Sequence, residues 1–398
     1  MILLALGAVL SNYAAFAQGA SAEDLEDLVF ITEQLPPYNF EEDGGVQGIS
    51  VDLLEAALGR IGADLNRSEI RILPWSEGYE RALQENGTVL FSTVRLSERE
   101  GSFRWAGPII TIRDVLMARK DREVEIGGPD DLGAYKIGVV NETAPMIRLL
   151  DLGMSEENFV VEEDAGALVE MLVSGSIDLL ADEEISTFDQ LEKLGADTED
   201  YEVVQVLGVY DLYYAFSVNV SATLVQAFQD GLNETMKVGD EGISDYQRIL
   251  YRYLPVRYSE ESVAEARVVG LVDLTAADLE EDAPGTLAKI DAGEHPYVDE
   301  ENPGLYVFVY DTKVNLVADA GNPGLSGMNM SGKADVSGKL FRDELIAGAL
   351  NNGTGWVDYI WTSPAAGGLF YKTTYYRLAI GSDGEKYVVC GGRYKEAA

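Results

Sequence analysis

Short, continuous apolar runs alternate with helical patterns through the first 255 residues. The runs at 28–31, 89–91 and 137–140 are apolar on consecutive positions, which is typical of strands buried on both faces of a parallel sheet. Helical patterns at 50–58, 76–84, 145–152 and 164–173 separate these runs, and Ser221 is placed to cap a further helix. This part of the chain is therefore predicted to be an α/β structure.

The pattern changes near residue 257. A charged stretch at 259–268 is predicted to form a linking helix, and it is followed by strand patterns at 305–310, 314–318, 355–361, 370–380 and 386–390 with one helix at 341–350. The strands are rich in tyrosine and β-branched residues, as in antiparallel sheets. A second, α+β module is therefore predicted after residue 258, in keeping with the two to three packing units expected of 398 residues.

Charge and composition exclude several classes of protein. The chain has 69 acidic and 29 basic residues, a net charge of -40, and such a surface repels nucleic-acid phosphates. Because Cys390 and His295 are single residues of their kinds, the sequence predicts no disulfide within the chain, no cysteine-rich zinc site and no multi-histidine metal centre. No bound metal and no cofactor are expected. The string from Gly327 to Lys333 has the spacing of a phosphate-binding loop, but Ala334 replaces the metal-binding hydroxyl, and a simple loop is favoured.

The N-terminus predicts export. Residues 1–10 are apolar and precede small residues in the order that signal peptidases cleave, so residues 1–22 are predicted to be a signal peptide, with a buried first helix as the alternative. Seven Asn-x-Ser/Thr triplets fit a glycosylated exterior, or else repeated polar turns; they begin at Asn66, Asn86, Asn141, Asn219, Asn233, Asn329 and Asn352. The predicted location is extracytoplasmic, either periplasmic or at the cell surface or secreted.

A series of motifs in the first part occurs in a familiar order. They are Leu35-Pro-Pro-Tyr38-Asn-Phe, Gly48-Ile-Ser-Val-Asp52, Leu73-Pro-Trp75, Arg95-Leu-Ser-Glu-Arg99 and Phe103-Arg-Trp-Ala-Gly-Pro108. In this order they resemble the family 3 bacterial extracellular solute-binding proteins, the periplasmic amino-acid-binding type. The resemblance implies an α/β two-lobed periplasmic-binding-protein type II clamshell over residues 23–257. Lobe 1 would take about 26–118 and 206–255, and lobe 2 about 119–205.

An amino-acid ligand needs a fixed cation, an anion and an apolar platform in its pocket. The resemblance implies that Arg99 binds the ligand carboxylate, helped by polar groups near Ser92 and Val94. It also implies that the side chains of three residues form the walls of the pocket, namely Leu35, Tyr38 and Trp75. The alternatives are a surface ion pair for Arg99 and ordinary core packing for the wall residues. In lobe 2 the resemblance implies that Glu183 binds the ligand ammonium group, with Asp182 as the second choice. It also implies that Thr143 offers a hydroxyl group at a helix start.

The second part resembles a single Cache domain, an α+β PAS-like sensor, over about residues 262–395. The similarity rests on strings such as Gly304-Leu-Tyr-Val-Phe-Val-Tyr-Asp311 and Gly355-Trp-Val-Asp-Tyr-Ile-Trp-Thr-Ser-Pro364. It implies a pocket for a small organic acid, with Lys372 supplying the charge and with aromatic walls from Trp356, Tyr359, Trp361 and Tyr375. The alternative places the aromatic residues in the core and Lys372 in solvent.

These expectations combine into an exported small-molecule-binding protein without catalytic activity. Its solute-binding module would bind an amino-acid-like ligand and serve an ABC permease, and its Cache module would sense a second ligand. The alternative is an extracytoplasmic soluble sensor that signals through a membrane partner. No nucleic-acid partner is expected.

Overall fold

The computed structural model describes residues 22–239, 243–259, 262–299, 301–302, 304–362 and 369–397. Its residues fall into two compact units. The first comprises the described residues up to Ile109 together with Leu212–Tyr253, and the second comprises Ile110–Asp211 together with the residues from Leu254 onwards. We call the first unit lobe 1, Ile110–Asp211 lobe 2, and the residues from Leu254 the C-terminal module. The predicted signal peptide lies outside the described residues except at Ala22.

Lobe 1 is built around a mixed sheet. Its parallel strands are β4 (Arg71–Ile72), β1 (Val29–Thr32) and β5 (Thr88–Val94), and β5 is joined in antiparallel fashion by the end of β11 (Tyr201–Ser217), which also pairs with β6 (Phe103–Ala106). A hairpin is formed by β2 (Phe40–Glu42) and β3 (Gly45–Gln47). The helices are α1 (Ala22–Glu26), α2 (Ile49–Arg60), α3 (Trp75–Gln84), α7 (Ala222–Thr235) and α8 (Asp245–Tyr253). Ser221 caps α7 by accepting a hydrogen bond from Leu224 N, as its sequence position predicts.

Lobe 2 contains a second sheet in the order β11, β7 (Thr111–Arg119), β10 (Leu179–Glu183), β8 (Ile137–Val140) and β9 (Phe159–Glu162). Helices α4 (Ala144–Asp151), α5 (Ala165–Ser174) and α6 (Glu184–Lys193) connect these strands. Because β8 and β10 are parallel neighbours, their carboxyl ends meet at one edge of the sheet. This edge carries the residues that the sequence predicts for the ligand ammonium group.

The C-terminal module has an antiparallel sheet in the order β16 (Leu369–Ile380), β17 (Lys386–Tyr394), β13 (Val307–Asp311) and β14 (Leu316–Asp319). The outer side of β16 pairs with β15 (Thr354–Thr362) in antiparallel fashion and with the short β12 (Val256–Arg257) in parallel. Two helices, α9 (Glu265–Asp291) and α10 (Phe341–Asn352), pack against this sheet. The predicted α+β class is therefore confirmed.

The linking helix begins inside the charged segment that predicts it and extends well beyond that segment. Instead of residues 259–268, the structure has the 27-residue α9, in which Asp282 departs from helical geometry two residues before Pro284. Val268, Val272, Ala276 and Leu279 are fully buried along one face of α9, at the spacing of an amphipathic helix. The helix is therefore part of the core of the C-terminal module. Among the described residues, no helix combines the length and the apolar content of a membrane span.

The string from Gly327 to Ala334 is a loop, as predicted. It lies in turns, and the next helix, α10, begins only at Phe341. Lys333, which a phosphate-binding loop would direct at a nucleotide, places its Nζ 2.7 Å from Asp211 Oδ2 of lobe 2. This lysine is therefore part of the contact between lobe 2 and the C-terminal module.

Candidate functional site

Arg99 of lobe 1 is buried against two aromatic rings. It ends a short 3₁₀ turn after β5, and its side chain is only 3% exposed. Its guanidinium carbon lies 5.0 Å from the ring centroid of Trp75 and 5.2 Å from that of Tyr79, and Nη1 donates to the carbonyl of Val94 at 3.3 Å. Cation–π contacts and a backbone acceptor hold the guanidinium plane in place. Arg99 is thus a buried cation and not a surface ion pair.

Ser92 lies at an irregularity in β5. Phe91 and Thr93 pair with consecutive residues of β11, so Ser92 is an extra residue in the strand, and its φ is 60°. Such bulges redirect side chains, and positive φ in a residue other than glycine is uncommon. Its Oγ lies 2.7 Å from Ser50 Oγ and donates to Asn39 Oδ1. A buried polar cluster therefore lies at the end of β5, close in sequence to Val94 and Arg99.

The other two lobe 1 candidates occupy a single turn. Leu35 N donates to Asn39 O at 2.8 Å, and Tyr38 N donates to Leu35 O at 2.9 Å. Tyr38 is fully buried and Leu35 is 8% exposed. Asn39 connects this turn to Ser92, so the turn and the end of β5 belong to one hydrogen-bonded structure.

In lobe 2, four acidic side chains are buried together. Asp182 and Glu183 end β10, Glu184 begins α6, and Asp114 of β7 pairs directly with Glu183. Glu183 caps α6, because its Oε2 accepts a hydrogen bond from Ser186 N at 2.7 Å. Its Oε1 has no hydrogen-bond partner among the described residues. The described residues do not form a group of His, Cys, Asp or Glu suited to a metal ion.

Burial dominates the ionisation of these acids. It raises the pKa of Asp182 from 3.8 to about 6, and it raises the pKa of Glu183 well above its usual range despite the Ser186 amide. The pKa of Glu184 is also raised by burial, and the guanidinium of Arg113 opposes that rise. A bound cation would favour the charged form of each carboxyl group.

Thr143 lies at the same edge of the sheet as Glu183, immediately before α4. Its hydroxyl donates to the carbonyl of Val140 at 2.8 Å and makes no capping hydrogen bond to the helix. The structure therefore places Thr143 at the predicted helix start, where its hydroxyl group already donates a hydrogen bond to the backbone.

Arg113 joins lobe 2 to the C-terminal module. Its Nε lies 3.3 Å from Glu184 Oε2, and its Nη2 donates to Asn322 Oδ1 at 3.2 Å. The guanidinium carbon is 5.5 Å from the ring centroid of Trp361. With a side chain only 10% exposed, Arg113 is a central residue of this contact.

The C-terminal module contains a partly open aromatic pocket with about 340 Å³ of empty space, which we call the module pocket. Its lining includes one cation, Arg342, which is 2% exposed and whose guanidinium carbon lies 4.3 Å from the ring centroid of Phe341 and 5.0 Å from that of Trp361. Two of the predicted residues, Tyr359 and Trp361, also line the pocket. Asp319 lines it as well, and burial raises the pKa of Asp319 to about 6.

The structure does not bring the five predicted Cache residues together. The pairing of β15 with β16 is regular throughout, with Tyr359 opposite Lys372 and Trp356 opposite Tyr375. Because side chains alternate along a strand, Trp356 and Tyr375 lie on the face opposite Lys372, where their ring centroids are 5.2 Å apart. Lys372 is 1% exposed, donates to Tyr306 OH at 3.4 Å, and has its pKa lowered to about 8 by burial.

Sequence reasoning missed three residues that the structure places in these sites. Tyr79 stacks on Trp75 with a centroid distance of 5.7 Å and could have been found from its position four residues along the same helix. Arg342 lies on the helix predicted at 341–350, but a single arginine on a helix carries no signal of burial. Arg113 gave no local signal, since its partners are far away in the chain.

The protein therefore has two α/β lobes followed by an α+β module with its own pocket. Lobe 1 contains a buried arginine, and lobe 2 contains buried acids. The model for bacterial extracellular solute-binding proteins, family 3, matches residues 28–292, and the model for single Cache domain 2 matches residues 273–397. The chain belongs to the family 3 solute-binding proteins and carries a C-terminal single Cache domain. It therefore combines a solute-binding module with a sensor module, and proteins of both families are typically extracytoplasmic and non-enzymatic.

Solved structures agree on the fold. A histidine kinase sensor domain with similarity to periplasmic binding proteins is 19% identical, with a TM-score of 0.51, and the match covers 58% of this chain and 98% of that one. A mutant of the arginine-binding protein of T. maritima is 17% identical, with a TM-score of 0.50, over 59% of this chain and 99% of that one. No curated protein matches the chain. The two structural matches confirm a periplasmic-binding-protein fold.

Proposed function

We propose that this protein acts outside the cytoplasm and binds an amino acid, which it delivers to an ABC permease. The observation that carries the proposal is the buried guanidinium of Arg99, held between the Val94 carbonyl and the rings of Trp75 and Tyr79. Arginine pairs with a carboxylate through two parallel hydrogen bonds, and such pairs are strongest where water is excluded. The aromatic rings would at the same time supply an apolar platform for the rest of the ligand.

Glu183 is our candidate for the ligand ammonium group, with Asp182 as the alternative. Glu183 ends β10 at the edge where α6 begins, and its Oε1 has no partner among the residues that the structure describes. Burying a carboxylate without a partner is costly, and an ammonium group would offset that cost. Thr143 would contribute backbone contacts at the adjacent helix start.

The experiment is calorimetry of the full chain with the twenty amino acids, each compared with its amine and its carboxylic acid analogue. We expect a micromolar or tighter ligand among the amino acids and much weaker binding of both analogues, because each analogue lacks one charged end. If no amino acid binds, the proposed ligand class is wrong and other solutes must be tested.

One observation favours a second candidate function, that of a soluble sensor. Arg113 and Lys333 make contacts that hold the Cache domain on lobe 2. A protein that only delivers solute has no need of this contact, whereas a soluble sensor that signals through a membrane partner would use it. Genes for a permease and an ATPase beside this gene would support delivery. A neighbouring membrane receptor without a permease would support sensing.

We further propose that the module pocket binds a small organic acid through Arg342, rather than through Lys372 as the sequence suggested. Arg342 Nε has no hydrogen-bond partner among the described residues, and Arg342 lines the pocket, whereas Lys372 is not among the lining residues and contacts Tyr306. In a thermal-shift screen of small organic acids against the full chain, we expect a stabilising compound whose effect is lost in Arg342→Ala. Arg377→Ala, at a half-exposed arginine paired with Asp273, is the control and should retain the effect. A compound that stabilises Arg342→Ala as well as the wild type would place the site elsewhere.

A further inference from the structure

Lobe 2 and the C-terminal module line a partly open pocket between them, with about 400 Å³ of empty space, which we call the junction pocket. Both belong to the same compact unit. Lobe 2 contributes Arg113, Glu183 and Glu184 to its lining, and the C-terminal module contributes Asp335 and Trp361. The candidate ammonium-binding residue Glu183 thus shares a pocket with a residue of the Cache domain.

The lining of the junction pocket carries more negative than positive charge. Glu184 is paired with Arg113, and Asp335 accepts hydrogen bonds from the backbone amides of Ser337, Lys339 and Ile360. Glu183 is 3% exposed and satisfies only its Oε2, through Ser186 N. Asp114, its cross-strand partner on β7, and Asp182, the preceding residue of β10, are further buried acids and bring no positive charge. What this carboxyl group lacks is a donor with a positive charge.

The remainder of the lining is mainly apolar. Ile112 and Ile185 from lobe 2 face the same pocket as Ile360 and Leu369 from the C-terminal module. The ring of Trp361 lies near both Arg113 and Arg342, with centroid distances of 5.5 and 5.0 Å. Since these guanidinium groups already use the ring as a cation–π partner, Trp361 offers a ligand hydrocarbon surface rather than a second cation site.

We propose that the junction pocket binds the ammonium group and short hydrocarbon chain of a primary amine, with Glu183 as the anion and Trp361 of the Cache domain as one wall. The proposal rests on the proposed function in one respect, because Glu183 is the same carboxyl group in both. It adds that the Cache domain is a structural part of the amine site, so that the solute-binding module alone has an incomplete one.

Proton release from Glu183 on amine binding would distinguish a binding role for this residue from a purely structural one. Burial raises the pKa of Glu183, whose charged neighbours on β7, β10, α6 and the module are Asp114, Asp182, Glu184, Arg113 and Asp335. An ammonium ion favours the ionised carboxylate. Below the raised pKa of Glu183, binding of an amine should therefore release a proton, seen as a dependence of the calorimetric enthalpy on the ionisation enthalpy of the buffer.

The test is titration of the full chain with n-butylamine, with n-butanol as the uncharged control. We expect the amine to bind and the alcohol not to, with at least tenfold weaker binding of amine and no proton release in the nearly isosteric Glu183→Gln. Trp361→Ala should weaken amine binding at least threefold. The matched controls are Glu192→Gln, an exposed acid on α6, and Trp356→Ala, a half-exposed tryptophan on the opposite face of β15; both should bind as the wild type does.

Two outcomes would overturn the proposal: no binding of butylamine by the wild-type chain, or binding that neither Glu183→Gln nor Trp361→Ala alters. Arg99→Ala separates this proposal from the proposed function, because butylamine has no carboxylate and should bind this variant normally. If amino acids bind through Arg99 while Trp361→Ala leaves their affinity unchanged and butylamine does not bind, the proposed function stands and the composite pocket is wrong. If butylamine binds through Glu183 and Trp361 but no amino acid binds, the reverse holds.

Discussion

Replacing Arg99 by alanine is expected to weaken binding of the amino-acid ligand by roughly thirty-fold to several-thousand-fold. Losing one partner of a buried, charge-assisted contact costs about 2 to 5 kcal/mol, because the ligand carboxylate would be left desolvated without its cation. The guanidinium of Arg99 is almost completely buried against Trp75 and Tyr79, so a loss near the small values of surface ion pairs is not expected. The measurement is isothermal titration calorimetry of the full-length variant with the ligand found for the wild type.

Arg95→Ala is the matched control for this experiment. Arg95 also lies over aromatic rings, 5.7 Å from the Trp105 centroid and 5.6 Å from that of Tyr213, but its side chain is 39% exposed and pairs with Glu100. Its loss should leave the affinity within threefold of the wild-type value. A similarly small change in Arg99→Ala, with the fold intact by circular dichroism, would refute the assignment of Arg99 to the ligand carboxylate.

The second large effect concerns stability. Asp182→Asn is expected to stabilise the folded protein by about 2 to 3 kcal/mol at pH 7.5, and by almost nothing near pH 4, since a rise of the pKa from 3.8 to about 6 corresponds to about 3 kcal/mol. The folded state favours the protonated carboxyl group, so its contribution is fully present below the unfolded pKa and is lost as the pH rises through about 6. Denaturant unfolding of variant and wild type at several pH values measures the difference.

The control is Asp151→Asn at an exposed acid on α4, where the change in stability should be below about 0.5 kcal/mol, as is usual for surface substitutions. A pH-independent effect of Asp182→Asn would mean that the side chain matters for packing and not for its charge. Destabilisation by Asp182→Asn at pH 7.5 would show that the carboxylate is ionised and stabilised in the folded protein.

The sequence was most informative where a pattern is local. Four helices predicted from spacing and end signals match the structure to within about two residues at each end, for example 164–173 against Ala165–Ser174, which begins at the Asp164 cap and ends before Gly175. The length of α9 was missed because Pro284 and the many acidic residues hid its apolar face. The 17-residue β11 was missed because its two halves pair with different strands and have no common alternation.

The candidate site residues follow the same rule, because those with a local sequence pattern were predicted and those defined by distant contacts were not. The order of motifs predicted that Arg99 and Trp75 lie in one site, and the structure brings the two into contact, since Trp75 begins α3 soon after β4 and Arg99 follows β5. Arg342 and Arg113 were missed, because their significance comes from burial and from partners distant in the sequence, such as Trp361. Trp356 and Tyr375 were placed in a pocket by the family resemblance alone, and the regular pairing of β15 with β16 puts them on the opposite face.

The side-chain link from Glu184 through Arg113 to Asn322 and Trp361 also has a consequence for how this gene can change over generations. A fusion of two modules that stay independent leaves each free to mutate alone, whereas here a substitution at one position alters the surroundings of three others. We expect substitutions at 113, 184, 322 and 361 to be correlated among relatives that carry both modules. In relatives that consist of the solute-binding module alone, positions 113 and 184 should vary without that constraint, and an alignment of the two groups measures the difference.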